Sequence, residues 1–297
     1  APAHSPQPCS QPRPVPALEL RPTSLSITEI ETWVEDPYAI YARHILKLDP
    51  LPPLVRQPDA RERGTLYHDI LEQFVRRVEN PLADSALAQL HAIADDHFRQ
   101  LALPREFQAY WQPRFRHVAG LFLDWHRRHL QQVDAVHVEL SGKTDKGLNG
   151  FTLRGRADRI DQLTDGRIVL LDYKTGLHPT IKSVEELKSS QLPLEAAMAR
   201  RGAFGQDLAR NAAWLAYVRL RPTSELAVDR IGAGGPKKAT AEELGEQAWA
   251  NLAALVQAYR LPEKDYRSKA RPASQKQWEG DYDHLARVRE WSFADDG

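Results

Sequence analysis

Apolar residues recur at helical spacing through the first half of the chain. Residues 62–79 form the clearest amphipathic helix, with one stripe made of Leu66, Ile70, Leu71, Phe74, Val75 and Val78. Residues 81–101 and 111–133 continue the same period. The pattern therefore predicts a helical N-terminal half.

The chain begins with a proline-rich segment that shows neither the helical period nor the alternation of a β-strand. Residues 1–22 are predicted to be a disordered or extended linker, which indicates that the chain is normally joined to something larger. One domain is predicted over 23–297. At its start, Ser26 or Thr28 can cap a first helix, and Pro37 is expected to end that helix and begin a second.

From about Ala135 the period changes to that of β-strands. Strands are expected within 135–161, 166–176 and 211–220, and helices within 189–204 and 240–261. We therefore predict an α/β fold in which a mixed central β-sheet is flanked by helices. Its core should cover about 135–222, and a C-terminal helix and tail should cover 240–297.

Composition narrows the class of protein. The chain has 40 basic and 40 acidic residues, so no overall charge points to nucleic acid and only local patches can do so. A single cysteine, Cys9, excludes an internal disulfide framework and a four-cysteine cluster. No apolar run is long enough for a membrane span, and no secretory signal is visible. These features predict a cytoplasmic protein.

Residues 155–176 place four aspartates in what otherwise resembles two strands, where acidic residues are uncommon. A three-residue loop at 164–166, with Gly166 in the left-handed conformation, would pair Asp158 with Asp172. Lys174 would then share their face, because side chains alternate along a strand. A two-residue loop would instead separate the two aspartates, so the register is an inference from function as well as from the turn.

Facing carboxylates repel unless a cation lies between them. A hard divalent ion with oxygen ligands resolves that conflict, and Lys174, on the same face, can stabilise a developing anion. The set Asp158, Asp172 and Lys174 therefore predicts metal-assisted phosphodiester hydrolysis. Asp161 would face the other way, paired with Arg159, and its replacement should cost little stability.

The spacing of G-x-x-D and D-Y-K-T-G resembles the PD-(D/E)XK nuclease superfamily, in its RecB-like branch. Further stretches resemble the AddB-type nuclease domains of that branch in the right order: "SLSITEIETWVEDPYAIYARHILKL", "RGTLYHDILEQF", "QLPLEAA" and "DYDHLARVREWS". The resemblance implies a Mg²⁺-dependent DNA exonuclease or endonuclease, with Mn²⁺ as an alternative metal. It also implies single-stranded DNA as substrate during double-strand-break processing.

The same resemblance assigns roles to individual residues. His68, Asp158 and Asp172 would bind the metal, with the main-chain carbonyl of Tyr173 as an extra ligand. Lys174 would be the catalytic lysine, and Gln191 would complete the site. By itself, His68 is more typical of a packed core histidine, and Gln191 could equally be a helix cap. Glu72, one turn after His68, could bind metal, but a solvent-facing acid is the preferred interpretation.

Partners follow from the resemblance as well. It implies an AddA-type helicase–nuclease subunit, the missing N-terminal part of AddB, and a location in the cytoplasm at the nucleoid. Glu195 replaces a tyrosine common in relatives, and Asp36 stands where some AddB proteins have an iron–sulfur cysteine. We therefore expect no iron–sulfur cluster, with other packing joining the N-terminal helices to the C-terminal tail.

A local excess of basic residues marks the tail. Arg267, Lys269, Arg271 and Lys276 are candidates for DNA contact, and the aromatic residues Tyr259, Tyr266 and Trp278 between them could stack on bases. A plain exposed loop is the alternative. For the whole chain, the alternative function is a catalytically weak or inactive DNA-end-binding scaffold of a helicase–nuclease complex.

Overall fold

The computed structural model describes residues 9–50, 58–101, 103–235, 238–270 and 280–292. The chain divides into two compact units. Unit 1 comprises Ala1–Val55, Asp145–Leu153 and Ala250–Gly297, and unit 2 comprises Arg56–Thr144 and Arg154–Trp249. Among the described helices, none combines the length and the apolar character that a membrane crossing requires.

The helices and strands have the following bounds. The helices are α1 (Ile27–Glu35), α2 (Pro37–Ile40), α3 (Ala60–Arg77), α4 (Ala86–Gln100), α5 (Arg105–His129), α6 (Ile181–Glu185), α7 (Gln191–Arg200), α8 (Ala241–Ala258) and α9 (Val288–Ser292). The strands are β1 (Ser24–Ser26), β2 (Val133–Thr144), β3 (Thr152–Leu163), β4 (Ile168–Lys174), β5 (Ala212–Arg219) and β6 (Ala227–Ile231).

In unit 1, the start of α1 follows from its capping residues. The Ser26 hydroxyl accepts from the Glu29 amide at 3.3 Å, and the Glu29 carboxylate accepts from the Ser26 amide at 2.8 Å. Ser26 is thus the cap of the two residues considered. Pro37 begins α2, as expected, and the helix continues as a π-helical turn over Tyr41–Ile45.

The described part of the proline-rich segment, also in unit 1, runs along the C-terminal tail and forms a short 3-10 helix at Leu18–Leu20. The carbonyls of Pro12 and Pro14 accept from the amides of Ser268 and Tyr266 at 3.2 and 2.8 Å. Arg21 is buried and donates to four main-chain carbonyls, which belong to Pro16, Tyr259, Leu261 and Pro262. These bonds hold residues 12–21 in place.

In unit 2, α3, α4 and α5 share one apolar core with the sheet. Asp59 caps α3 by accepting from the amides of Arg61 and Glu62. Leu71 and Phe74 of α3 are fully buried in a cluster that includes Leu171 of β4. The predicted stripe of α3 is therefore the face that packs against the sheet, apart from Val75, which is only partly buried.

The sheet of unit 2 has the order β3-β4-β5-β6, with β2 also pairing with β3. The β3–β4 and β5–β6 pairs are antiparallel and the β4–β5 pair is parallel. β4 is buried on both faces from Ile168 to Tyr173, as expected for a strand with helices on either side. The predicted α/β fold with a mixed, helix-flanked sheet is confirmed.

Some elements differ from the sequence prediction. α6 and β6 were not predicted, since five residues carry too little periodicity to stand out. α5 begins at Arg105, ahead of the expected start at Trp111, and contains Pro113. A proline inside a helix removes one main-chain hydrogen bond, and the buried side chains of α5, such as Phe115 and Phe122, offset that loss by packing.

Candidate metal and catalytic site

The β3–β4 hairpin has the predicted register. Leu163 donates to Arg167 at 2.8 Å, and Gly166, at φ +84°, donates to Leu163 at 2.9 Å. These bonds close a three-residue loop with glycine in the left-handed region. The pairs that follow, Ile160 with Leu170 among them, confirm the predicted register.

The paired residues end with Arg159 and Leu171, and Asp158 and Asp172 are the next residues of the two strands. The Asp158 carboxylate accepts from the Tyr173 amide at 2.9 Å. The Asp172 carboxylate lies 2.7 Å from the Lys174 ammonium. Asp158, Asp172 and Lys174 thus lie together at one end of the hairpin, as the alternation of the strands predicts.

The two carboxylates differ in their acidity because their partners differ. Burial, together with the negative charge of Asp158, raises the pKa of Asp172 to about 6, against the effect of Lys174. Burial also acts on Asp158, but hydrogen bonds from His68 and from the Tyr173 amide outweigh it and lower the pKa of Asp158. The more acidic member of the pair is therefore Asp158.

His68 reaches this end of the hairpin from α3. Its Nε2 lies 2.7 Å from the Tyr173 carbonyl oxygen, and its Nδ1 lies 3.4 Å from Asp158 Oδ2. Burial opposes a charged ring, but the hydrogen bond and charge of Asp158 and the charge of Asp172 raise the pKa of His68 to about 9. The residues that the family resemblance assigned to the metal are thus close neighbours.

Glu139 of β2 is a further acid at this site, and sequence reasoning missed it. Its Oε1 lies 3.9 Å from His68 Nδ1, and its other oxygen lies 2.5 Å from Arg156 Nε. Burial and the charge of Asp158 raise the pKa of Glu139 to about 7. An acid between Val138 and Leu140 in a predicted strand was the available signal, the same one that drew attention to Asp158.

These donors fit a divalent cation. One ligand atom each from His68, Glu139 and Asp158 lies within 4.8 Å of the others, and we call these three the ligand group. Two carboxylates and an imidazole suit Mg²⁺ or Mn²⁺. The Tyr173 carbonyl adjoins the group through His68, whereas Asp172 lies outside it and is held by Lys174.

Glu72, considered from sequence as a ligand, is engaged elsewhere. It accepts from Arg76 at 2.9 Å, one turn along α3, and its second oxygen lies 4.0 Å from Arg156. Such a pair is typical of a helix surface. The sequence-based preference for a non-ligand role agrees with these contacts.

Gln191 and Glu195 come from α7, one turn apart. Gln191 Nε2 donates to Asp172 at 2.8 Å and to Glu195 at 3.2 Å, and its Oε1 lies 3.5 Å from Lys174 Nζ. Gln191 thus connects the lysine, the aspartate and the glutamate. Burial first, and then the charges of Asp172 and Asp158, raise the pKa of Glu195 well above its usual value.

The opposite face of the hairpin carries a buried polar network. Arg159 Nε donates to Asp161 at 2.7 Å, and His129 Nε2 lies 2.8 Å from the same carboxylate. Arg159 also reaches the Tyr173 hydroxyl at 3.4 Å, and all four side chains are buried. The predicted pairing of Asp161 with Arg159 is confirmed. The pair lies on the face of the hairpin opposite the candidate metal ligands.

Two of the tail candidates, Arg267 and Lys269, lie in the described part of unit 1, and each pairs with a carboxylate of the protein. Arg267 lies 3.2 Å from Asp265, and Lys269 lies 2.8 Å from Asp283. Arg271 and Lys276, like Trp278, fall outside the described residues. The expectation that Tyr259 and Tyr266 stack on bases is wrong, because both rings are buried and pack on each other at 4.8 Å.

Known proteins resemble this chain over much of its length. The family model described as "PD-(D/E)XK nuclease superfamily" matches residues 24–288. An "Uncharacterized protein" of Rickettsia bellii is 29% identical over 186 residues, which are 62% of this chain and 22% of that protein. An ATP-dependent helicase/deoxyribonuclease subunit of Streptococcus pyogenes serotype M49 is 25% identical over 160 residues, which are 52% of this chain and 14% of that protein.

The chain thus spans less than a quarter of the length of these curated relatives. A solved structure titled "Crystal structure of SSO0001" is 12% identical, covers 80% of this chain and 75% of its own, and has a TM-score of 0.30, too low to bear on the fold. The family match rests instead on the sequence over 24–288. Together with the mixed sheet and the acidic hairpin, it shows that the chain belongs to the PD-(D/E)XK nuclease superfamily.

Proposed function

We propose that this chain is the nuclease domain of a helicase–nuclease and hydrolyses phosphodiester bonds in single-stranded DNA with a divalent metal. The observation that carries the proposal is the ligand group beside Lys174, at one end of the β3–β4 hairpin. Cation ligands and a cationic side chain at one place match what phosphodiester hydrolysis requires. Family membership and the deoxyribonuclease named among the relatives support the same chemistry.

Mg²⁺, or Mn²⁺ in its place, would be held by His68, Glu139 and Asp158. Asp172 and the Tyr173 carbonyl are further ligands in this proposal. A bound metal would polarise the scissile phosphate and lower the pKa of a coordinated water. His68 must give up its proton to serve as a ligand, and the neighbouring acids must be ionised.

Lys174 carries the positive charge of the proposed catalytic step. Burial opposes the charged form of Lys174, but Asp172 raises the pKa of this lysine. Lys174 is therefore positively charged at neutral pH. Asp172 and Gln191 fix the position of the ammonium. We infer that Lys174 orients the attacking water or neutralises the charge that develops on the phosphate in the transition state.

Glu195, in place of the tyrosine of relatives, need not repel a phosphate. Burial, together with the charges of Asp172 and Asp158, raises the pKa of Glu195 well above its usual value and so favours the neutral carboxyl. A neutral carboxyl can also donate a hydrogen bond, which is what a tyrosine hydroxyl does. This substitution is therefore compatible with catalysis.

The proposed setting is a larger assembly. The deoxyribonuclease relative is one subunit of a helicase–nuclease and is many times longer than its matched segment. We infer that this chain works joined to the remainder of an AddB-type protein and beside an AddA-type subunit. The helicase would deliver the single strand that the domain cuts.

A cleavage assay tests the proposed function. Labelled single-stranded DNA should be shortened in the presence of Mg²⁺ and left intact when EDTA is added, with Asp158→Asn as the inactive control. Binding without cleavage under both conditions would contradict the nuclease proposal and favour the scaffold function instead.

A further inference from the structure

Unit 2 carries a cluster of basic, aromatic and exposed apolar side chains next to the catalytic residues. We call it the Arg–Tyr patch, and it consists of Arg63, Tyr110, Arg114, Leu177 and Arg221. The nuclease chemistry proposed above does not use any of these side chains.

Two elements bring the patch to the site. Gly64 lies one turn before His68 in α3 and faces Thr175, the residue after Lys174. A Cβ atom on residue 64 would lie 3.4 Å from the threonine hydroxyl. The Tyr67 hydroxyl donates to the Trp111 carbonyl of α5 at 3.2 Å. The start of α3, the loop after β4 and α5 thus adjoin one another.

The arginines of the patch lie around that junction. Arg63 directly precedes Gly64 in α3, and Arg114 lies in α5 close to Trp111, stacked on Tyr110. Arg221 donates to the Gly176 carbonyl, in the loop that follows the catalytic lysine. The three arginines thus come from α3, from α5 and from the partner of the loop after β4, which are the elements that meet at this junction.

These arginines differ from others on the same helices in their contacts with carboxylates. Within the part of the chain that the structure describes, none of Arg63, Arg114 and Arg221 forms an ion pair with a carboxylate. Other arginines of the same helices do: Arg76 pairs with Glu72 at 2.9 Å, and Arg116 pairs with Asp95 at 3.0 Å. The patch therefore keeps positive charge for an external anion, although the chain as a whole is neutral.

The patch also exposes flat and apolar surface. The Arg114 guanidinium lies 3.7 Å from the centre of the Tyr110 ring, so the two side chains form a stacked pair. Tyr110 is 51% exposed. Leu177 is 86% exposed, the highest value among the large apolar side chains described. Exposed surface of this kind next to unpaired arginines marks an interaction site.

We propose that the Arg–Tyr patch binds the single-stranded DNA substrate and leads it to the ligand group. Tyr110 and Arg114 would stack on bases, Arg63 and Arg221 would contact phosphates, and Leu177 would pack against a base. Unpaired bases present free faces for such stacking, whereas duplex bases do not, so a single strand fits this surface best. The proposal rests on the nuclease function proposed above.

Binding to a fluorescein-labelled oligodeoxythymidine of about 20 nucleotides, measured by anisotropy in EDTA, tests the stacking role. Tyr110→Ala should raise the Kd about 5-fold to 150-fold, the loss expected for one stacked base. Tyr110→Phe keeps the ring and should bind as the wild type does. A melting curve for each variant checks that it is folded.

The salt dependence of the same binding tests the phosphate contacts. Arg63→Gln should reduce the slope of log K against log salt concentration by about 0.7, the value for one phosphate contact on a single strand. Arg116→Gln is the matched control, because Arg116 is exposed but paired with Asp95. Its slope should equal that of the wild type.

The outcomes separate the two proposals. If the wild type cuts DNA with Mg²⁺ while Tyr110→Ala and Arg63→Gln bind the oligonucleotide normally, the patch assignment is overturned and the nuclease proposal stands. An equal loss in Arg116→Gln would also overturn it, because the effect would then be general electrostatics. If the wild type neither cuts nor binds, both proposals fail.

Discussion

Three aspartates in one hairpin acquire different properties from the atoms around them. Asp158 accepts from the Tyr173 amide and lies beside His68, while Asp172 is held by Lys174. Asp161 is fully buried on the other face and depends on Arg159. The residue type is the same at all three positions, so replacing each one should have a different effect.

The first prediction compares Asp158→Asn with Asp161→Asn. Asp158→Asn should abolish Mg²⁺-dependent cleavage and preserve the fold, because an amide oxygen can still accept from Tyr173. Asp161→Asn should leave cleavage per folded molecule unchanged. It should lower the free energy of unfolding by about 3 to 5 kcal/mol, since Arg159 would keep a buried charge without a counter-ion.

That stability loss exceeds the small one expected from sequence, because the pair is fully buried. Denaturant unfolding and cleavage rates measured on both variants check the prediction. An inactive but stable Asp161→Asn beside an active Asp158→Asn would contradict the assignment of the two faces.

Lys174→Ala should separate chemistry from metal binding. The ammonium is not a cation ligand, so the affinity for Mg²⁺ measured by calorimetry should survive. The cleavage rate should fall by about 10²-fold or more, as for other lost electrostatic stabilisers. Lys188→Ala is a matched control, because Lys188 pairs only with Glu186 among the described carboxylates and is well exposed. Loss of metal binding in Lys174→Ala would refute a purely electrostatic role for the lysine.

The metal-free site should make stability fall as the pH rises. The pKa of His68 is about 9 in the folded protein against 6.5 for a free side chain. The folded state therefore holds this proton more tightly, and the stabilisation is complete below pH 6.5 and lost as the pH approaches 9. The same sign applies to Glu139, whose pKa rises from 4.5 to about 7, over a lower range.

In EDTA, the free energy of unfolding should thus drop by about 1 to 3 kcal/mol between pH 6.5 and 9. Chemical denaturation at a series of pH values measures this drop. His68→Gln should flatten the profile over that range. A wild-type profile that stayed level in EDTA would contradict the arrangement of His68 and Asp158.

At the scale of elements, an ion cluster in unit 1 joins the N-terminal helices to the tail. Lys269 lies 2.8 Å from Asp283 and 3.6 Å from Asp36, and its amide donates to Asp36 at 3.1 Å. A lysine between two carboxylates thus connects Asp36, the residue before α2, to the tail.

Lys269→Met should therefore destabilise the protein without affecting DNA affinity. Loss of the cation leaves the partly buried Asp36 facing Asp283, at a cost of about 1 to 2 kcal/mol. Lys182→Met is the matched control, since Lys182 is exposed and pairs with Glu186 at 3.6 Å. Denaturation and oligonucleotide binding measure the two effects, and weaker DNA binding by a fully folded Lys269→Met would restore the tail hypothesis.

Elements with strong local signals were predictable from the sequence. The capping box of Ser26, the apolar stripe of α3 and the Gly166 turn each depend on a few neighbouring residues. Glu139 carried only the weak signal of an acid in a predicted strand, because its place at the site depends on the pairing of β2 with β3, which brings it to His68. Tyr259 was misjudged for a similar reason, since its burial depends on distant partners such as Trp33.

At the scale of the whole molecule, the candidate chemistry belongs to one unit. All members of the ligand group, Lys174 and Gln191 lie in unit 2. A cation that binds only the folded site should stabilise its surroundings. The stabilisation by the cation should therefore be confined to unit 2.

Hydrogen exchange with and without Mg²⁺ tests this expectation. Exchange should slow in α3 and in residues 158–174, and should stay unchanged in α1 of unit 1. Asp158→Asn should remove the difference. Slower exchange spread evenly over both units would contradict a metal site confined to unit 2.

The buried network behind the hairpin also affects how the chain avoids misfolding. If the strands slipped by one residue, every side chain would change face. Arg159 and Asp161 would leave His129, and Asp158 would turn into the apolar layer formed with α3 and α5. Asp158 would then be buried away from His68, at a cost of several kcal/mol, whereas Arg159 and Asp161, on the same strand, would keep each other but lose His129. The residues that align the catalytic groups thus also reject a misaligned hairpin during folding, before any DNA is bound.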